Sequence, residues 1–540
     1  MNRNHLAIEL IGQYVEGRFD RRQFFRRMAA IGISGTAGVA LLNACRGGAD
    51  GPATDAASST LKIRADVDIA NLDSAFIASQ VDSDVSGCIN EGLVTYKPGT
   101  FDVVNQLAET FTPSSDGLTF EFILKQGIQF HGNYGEVTAD DVKFSFERIA
   151  NPSLKSPYAG DWAALREVKI KDKYSGTIIL KEPFVALMRT TVPVTSGLVH
   201  SEKAVKERGE KYATNPIGTG PYEFANWTPK QKVTLKRFDK YGGASNDYIG
   251  SNWREIHFIP ILDDSAADIA LQAGDVDFGR LSLPGVDRFQ SDTNFTVTKS
   301  TTLNYEWIGM NILHPKLKDI RVRHAIRYAI DVPSMIDAAF NGKTTRATSI
   351  IPPNMGLGYW SDAPVYDRDV EKAKSLLKEA AGSNLELSFT YTDQPGSNEI
   401  AQIAQQNLSD IGIRLTLNKI DPATAFTLGK HAREGELFYA GYVSLADPSW
   451  SMVWFTCAQF DAWNPMYWCD KKFDDLQTQG LKELDASKRN EIYVEMQKLM
   501  DQAAIAVWIG WPTLYFGSRK GILPKITPTA ATIPYAFEAI

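Results

Sequence analysis

Leu385-Glu386-Leu387-Ser388-Phe389-Thr390-Tyr391, then Ile400, Ile403, Ala404, Leu408 and Ile411, then Gly412 followed by Ile413-Arg414-Leu415-Thr416-Leu417, is the stretch that decides the fold. The outer segments alternate apolar and polar residues, the period of a half-buried strand. The middle segment repeats apolar residues three and four apart, the stripe of an amphipathic helix, and Gly412 is a natural stop. Strand, helix and strand joined by short connections form the βαβ unit of an α/β domain.

The same alternation extends outward. Val322, Ala325, Ile326, Ala329 and Ile330 mark one helix upstream, and Val370, Ala373, Leu377 and Ala380 mark another, ended by Gly382. Nearer the N-terminus, Leu118, Phe120, Phe122 and Leu124 alternate with Thr119, Glu121, Ile123 and Lys125 as a strand. Thr138-Ala139-Asp140-Asp141 reads as a capping box opening a helix with a Val142, Phe146, Ile149 stripe, stopped at Asn151-Pro152.

A chain of 540 residues exceeds one ordinary core, so two or more lobes are expected. The net charge is −7, yet the first 44 residues hold six cations against three anions, which leaves about −10 on the rest. That sign argues against a nucleic-acid partner, which requires basic surface. The seven histidines are scattered and no Cys-x-x-Cys occurs among the four cysteines, so no metal site is expected. In an oxidising compartment Cys457 and Cys469, twelve apart, read as a disulfide closing a short loop; two buried free thiols are the alternative. Cys88 then stays single.

The first 44 residues read as an address. Asp20-Arg21-Arg22-Gln23-Phe24-Phe25 resembles a twin-arginine export motif, and the apolar stretch Met28 to Leu42, broken by Gly32, Gly35 and Gly38, is too short to span a membrane. Leu42-Asn43-Ala44-Cys45 resembles a lipoprotein-processing box, which makes Cys45 the lipidation site and places the protein on the outer face of the cytoplasmic membrane or in the periplasm. Plain cleavage with loss of Cys45 is the alternative. Residues 45–60, rich in Gly, Ala, Ser and Asp, read as a flexible tether.

Over nearly all its mature length the chain resembles the extracellular solute-binding family that carries peptides, nickel complexes, haem or sugars to importers. The resemblance rests on Leu72-Asp73-Ser74-Ala75, Glu91-Gly92-Leu93-Val94, Leu107-Ala108-Glu109, Asp116 to Phe120, Phe130-His131-Gly132, Thr138 to Val142, Gly218-Thr219-Gly220-Pro221-Tyr222, Met310-Asn311 and Val322-Arg323-His324-Ala325, in order. It implies a two-lobed α/β periplasmic-binding-protein fold with a central cleft. Lobe 1 would span 61–303, with an extra subdomain at about 98–217, and take back 511–540; lobe 2 would span 304–510. It implies a monomer that hands a small solute to membrane permease subunits, without cofactor or catalysis. Gly218 and Gly220 are expected at a tight turn with positive φ, and His131 as a satisfied histidine at a strand end.

The ligand-binding residues implied by the resemblance come from both lobes. Family peptide binders hold an ammonium with an Asp inside Gly-Trp-x-x-Asp-x-x-Asp-Pro. Here the run Gly441 to Pro448 is one residue shorter, so Asp447 falls on the structural pair and Ser444 or Leu445 on the anchor position. Gln394 stands where dipeptide binders carry an Arg. A buried charged terminus without a partner is costly, so an ordinary dipeptide is disfavoured and a sugar, modified peptide or other aromatic compound competes. Tyr442, Trp450, Trp454 and Trp463 around the Asp-Pro turn offer flat faces. Ile77, Ser79, Trp307, Asn311 and Tyr391 complete the expected lining. Core packing remains the plainer reading of any single tryptophan.

An exported hydrolase is the rival of another class, but no Gly-x-Ser-x-Gly elbow or His-Glu-x-x-His motif occurs. An exported sensor or chaperone of the same fold is a further alternative.

Overall fold

The computed structural model describes residues 60–540 except 78, 243–252, 381–384 and 422–434. The export motif, Cys45, the tether up to residue 59 and the Gly382 stop lie outside the described residues.

Two large sheets organise the chain. The first runs Phe295–Thr301, Thr513–Arg519, Phe278–Arg280, Thr60–Ala65, Glu255–Pro260, Lys232–Arg237 and Tyr222–Thr228 in order across it. The second runs Thr345–Arg346, Ala506–Trp511, Tyr305–Met310, Leu437–Tyr442, Glu386–Thr392 and Arg414–Ile420. The chain therefore crosses from first sheet to second between Thr301 and Tyr305, and returns between Trp511 and Thr513.

The βαβ stretch folds as its periodicity dictates. Glu386–Thr392 lies parallel to Arg414–Ile420 in unbroken register. The helix Ser397–Ser409 between them buries Ile400, Ala401, Ala404 and Leu408 against the sheet. Gly412 takes φ 85°, a left-handed conformation that suits glycine. The helices Ile320–Ala329 and Val370–Glu379 cover the same face.

A four-stranded sheet, Ala108–Pro113, Thr119–Leu124, Ser175–Leu180 and Leu165–Asp172, stands apart from both large ones. Phe120, Phe122 and Leu124 point into its core, with Thr119, Glu121 and Ile123 on the other side. The helix Ala139–Ala150 packs on it through Val142, Phe146 and Ile149. Its capping box forms: the Thr138 N–H donates to Asp141 Oδ2 at 2.9 Å.

The expectation for Gly218 and Gly220 needs correction. Neither has positive φ. They are glycines because backbone passes against backbone. A Cβ at Gly218 would stand 2.0 Å from the Ile89 carbonyl oxygen, and one at Gly220 2.5 Å from that of Cys88. The close approach lets the Gly220 N–H donate to the Ile89 carbonyl at 2.7 Å and places His131 Nε2 2.8 Å from the Gly220 carbonyl oxygen.

Candidate functional site

The crossing segments place one end of the second sheet beside the first. At that end, strand Leu437–Tyr442 leads into the Asp-Pro turn. Asp447 opens the short helix Pro448–Val453, accepting from the Ser449 N–H. Both its oxygens also receive Arg489, Nη1 and Nη2 each at 2.9 Å, in a pair almost wholly out of water. Asp447 thus fixes the turn, and its carboxylate is spent on that. Ser444 is buried too: its Oγ lies 2.5 Å from that of Ser451, and its N–H donates to Asn304 in the crossing segment. Leu445 is half-buried beside it.

The expected tryptophans come together as a row of rings. Trp450 meets Trp454 edge-on at 5.3 Å, Trp454 meets Trp463 at 5.6 Å, and Trp463 meets Tyr442 at 6.1 Å. Tyr442 then touches Trp307 and Tyr305 at 5.5 and 6.0 Å. The Tyr442 hydroxyl donates to the Trp463 carbonyl at 2.7 Å, which pins the row. Trp450, Trp454, Trp463 and Tyr442 are half-buried, whereas Trp307 is fully buried. Among the described residues the buried indole N–H groups of Trp307 and Trp511 have no acceptor, an uncommon condition for a donor. Cys457 and Cys469 are joined by a disulfide, which closes the loop carrying Trp463.

The other expected residues are placed differently. Ile77 is buried, and its carbonyl accepts from the Tyr158 hydroxyl. Ser79 caps the helix Gln80–Ile89 by accepting from the Asp82 N–H. Asn311 is buried, donating to the Gly435 carbonyl and accepting from the Leu313 N–H. Tyr391 is buried with its hydroxyl on Asn398, and Gln394 is exposed on the loop before Ser397–Ser409. Arg346, a possible carboxylate partner, is committed to Asp367 at 2.6 Å. Lys430 and Arg433, the other cations expected from the sequence as possible partners for a ligand carboxylate, lie outside the described residues.

Contacts also join the parts of the chain carried by the two sheets. The Val185 N–H donates to the Leu481 carbonyl at 3.0 Å, Asn354 Nδ2 to the Thr301 carbonyl at 2.7 Å, and the Tyr515 hydroxyl to the Lys343 carbonyl at 3.2 Å.

Sequence reasoning missed Glu306, a half-buried carboxylate in the strand Tyr305–Met310. Burial raises its pKa, and a hydrogen bond from Tyr439 offsets part of that. A charged residue between Tyr305 and Trp307-Ile308 was the available signal. Ser74 and His200 form a Ser–His contact at 2.5 Å, but both are fully buried. The other ring nitrogen meets the Tyr212 hydroxyl at 2.7 Å where a triad would have a carboxylate. Among the described residues no His, Cys, Asp and Glu cluster suits a metal ion, and no helix is long and apolar enough to cross a membrane.

Two sheet-centred lobes, two crossing segments and an aromatic row at the crossing define a two-lobed binding protein of the periplasmic type. HbpA2 from Haemophilus parasuis superimposes with a TM-score of 0.81 at 25% identity, over 89% of this chain and 100% of that one. DppA from Helicobacter pylori, in complex with the peptide STSA, superimposes with a TM-score of 0.72 at 22% identity, over 89% and 98%. In sequence, the glutathione-binding protein GsiB of Shigella flexneri serotype 5b is 27% identical over 410 residues, 74% of this chain and 78% of that protein. Residues 102–462 match the bacterial extracellular solute-binding proteins, family 5, and the chain belongs to that family. It is the substrate-binding subunit of an ATP-binding-cassette importer, and these relatives are solute-binding proteins rather than enzymes.

Proposed function

We propose that the exported chain captures one small solute in the cleft between lobe 1, residues 61–303 with 511–540, and lobe 2, residues 304–510, and gives it unchanged to the permease. Closure around the solute excludes water and strengthens its polar contacts. The observation that carries this reading is the half-buried row Trp450, Trp454, Trp463 and Tyr442 beside the crossing segments. Because these rings meet edge to face or tilted and stay half-buried, the row presents aromatic surface to a flat or apolar part of a ligand. Cys45 supplies a lipid anchor that tethers a monomer at the membrane.

The solute is peptide-like, a sugar or another polar aromatic compound, and not a free dipeptide. Asp447 is taken up by Arg489, Arg346 by Asp367, and Gln394 carries no charge. The absence of turnover is supported by the burial of the Ser74–His200 contact, which leaves a substrate no access. Mass spectrometry of the protein purified from its own host tests this. One solute retained and released with its mass intact after prolonged incubation is expected; a chemically altered product would refute transport without catalysis.

A further inference from the structure

Several carboxylates at the packed centres of this protein are held by cations: Asp73 by Arg148 at 2.5 Å, Asp447 by Arg489 at 2.9 Å, Glu436 by Lys316 at 2.7 Å. Glu306 departs from that pattern. Among the described residues no Lys or Arg pairs with it; the Tyr439 hydroxyl is its partner. Taking an anion out of water without a counter-charge is unfavourable, so such a group calls for a compensating partner.

Its surroundings are built for one. Register places Arg346, Gly510, Glu306 and Gly441 in a row across four adjacent strands, so their side-chain positions share one face. Glycine stands on both sides of Glu306. A Cβ at Gly441 would fall 2.6 Å from each carboxylate oxygen, so the carboxylate lies flat over bare backbone. Arg346, at the end of the row, is turned to Asp367 and the Tyr366 carbonyl instead. Glu306 is the second residue after one crossing segment, and its partner Gly510 is the second-last before the other. It therefore stands at the crossing end of the sheet, with its side chain on the face opposite Tyr305, Trp307 and Tyr442. Among the described residues Asp82, Asp84 and Asp161 also have no Lys or Arg partner, but all three lie in the 60–301 portion, Asp82 accepting from the Ala70 N–H and Asp84 from Thr532 and Gln80.

We infer that Glu306 is the cation-recognition residue of the cleft, its carboxylate receiving an ammonium or guanidinium group of the solute. The inference rests on the solute-capture reading and narrows its ligand to a cation-bearing compound. It also separates this chain from the family's motif-borne ammonium anchor. The charge sits on the crossing strand, and the motif's remaining Asp is structural.

The test compares wild type with Glu306→Gln and Glu306→Asp, all full-length and purified from one host culture, with released cargo identified by mass spectrometry. Wild-type cargo bearing an ammonium or guanidinium is expected, with its occupancy about tenfold lower in Glu306→Gln and intermediate in Glu306→Asp. Cargo without such a group, or equal occupancy in Glu306→Gln, overturns the assignment and leaves solute capture standing. Absence of any cargo or of any solute-dependent compaction overturns both. Stripped of cargo by unfolding and refolding, Glu306→Gln is expected to melt no lower than wild type at mildly alkaline pH. The amide keeps the Tyr439 contact and removes an uncompensated charge. A clearly lower melting temperature marks a structural carboxylate and also overturns the assignment.

Discussion

Arg489 and Asp447 lie forty-two residues apart and meet as a parallel fork, each guanidinium nitrogen 2.9 Å from one carboxylate oxygen, with the side chains 4% and 0% exposed. The helix Ala486–Gln502 thereby locks the turn that begins the aromatic row. Breaking one side of such a pair leaves the other charge buried alone, at about 3–5 kcal/mol. Arg489→Met is expected to lower unfolding stability by that amount in urea. A joint replacement, Arg489→Met with Asp447→Leu, is expected to recover much of it. A loss below about 1 kcal/mol in the single variant would mean that the pair does not hold the turn.

Trp450 and Tyr442 end the row on opposite sides of Trp454 and Trp463. If their rings face the solute, Trp450→Ala and Tyr442→Ala each weaken binding by on the order of 1 kcal/mol, roughly fivefold in Kd. Calorimetric titration with cargo recovered from the wild type reads this directly. Unchanged affinity in both variants would leave the row as packing.

His200 is buried between Ser74 and Tyr212, and burial lowers its pKa from 6.5 to about 4, the nearby Asp73 charge opposing this in part. Between those values the unfolded chain holds the proton and the folded one does not. The stabilising contribution is therefore complete above pH 6.5 and lost as pH falls toward 4. The stability advantage of wild type over His200→Gln is expected to shrink by on the order of 2 kcal/mol from neutral pH to pH 4.5. His131, Asp84 and Asp161 also titrate abnormally, but cancel in the difference. A pH-independent difference would show that His200 carries its proton in the folded state.

Much of this was legible from residue order. Periodicity gave the strands and helices around Leu385–Leu417, because each element buries a single face and the repeat of apolar residues is that face. The tryptophans after Asp447 were legible as a cluster, because they are near neighbours in sequence. Pairings across long separations were not: nothing local in Asp447 announces Arg489, and nothing in Glu306 announces Gly441 and Gly510 as its flanks. Gly218 and Gly220 were assigned the wrong physical reason for the same cause. A positive φ belongs to one residue, whereas the close approach of Ile89 and Cys88 belongs to the fold.

Closure around a solute is the central claim, and solution scattering measures it. Protein stripped of cargo by unfolding and refolding is compared with the same sample after saturation by the cargo recovered from it. A smaller radius of gyration on saturation is expected, because a solute stabilises the closed state by contacting both lobes. An unchanged radius while native mass spectrometry shows the solute bound would contradict capture by closure.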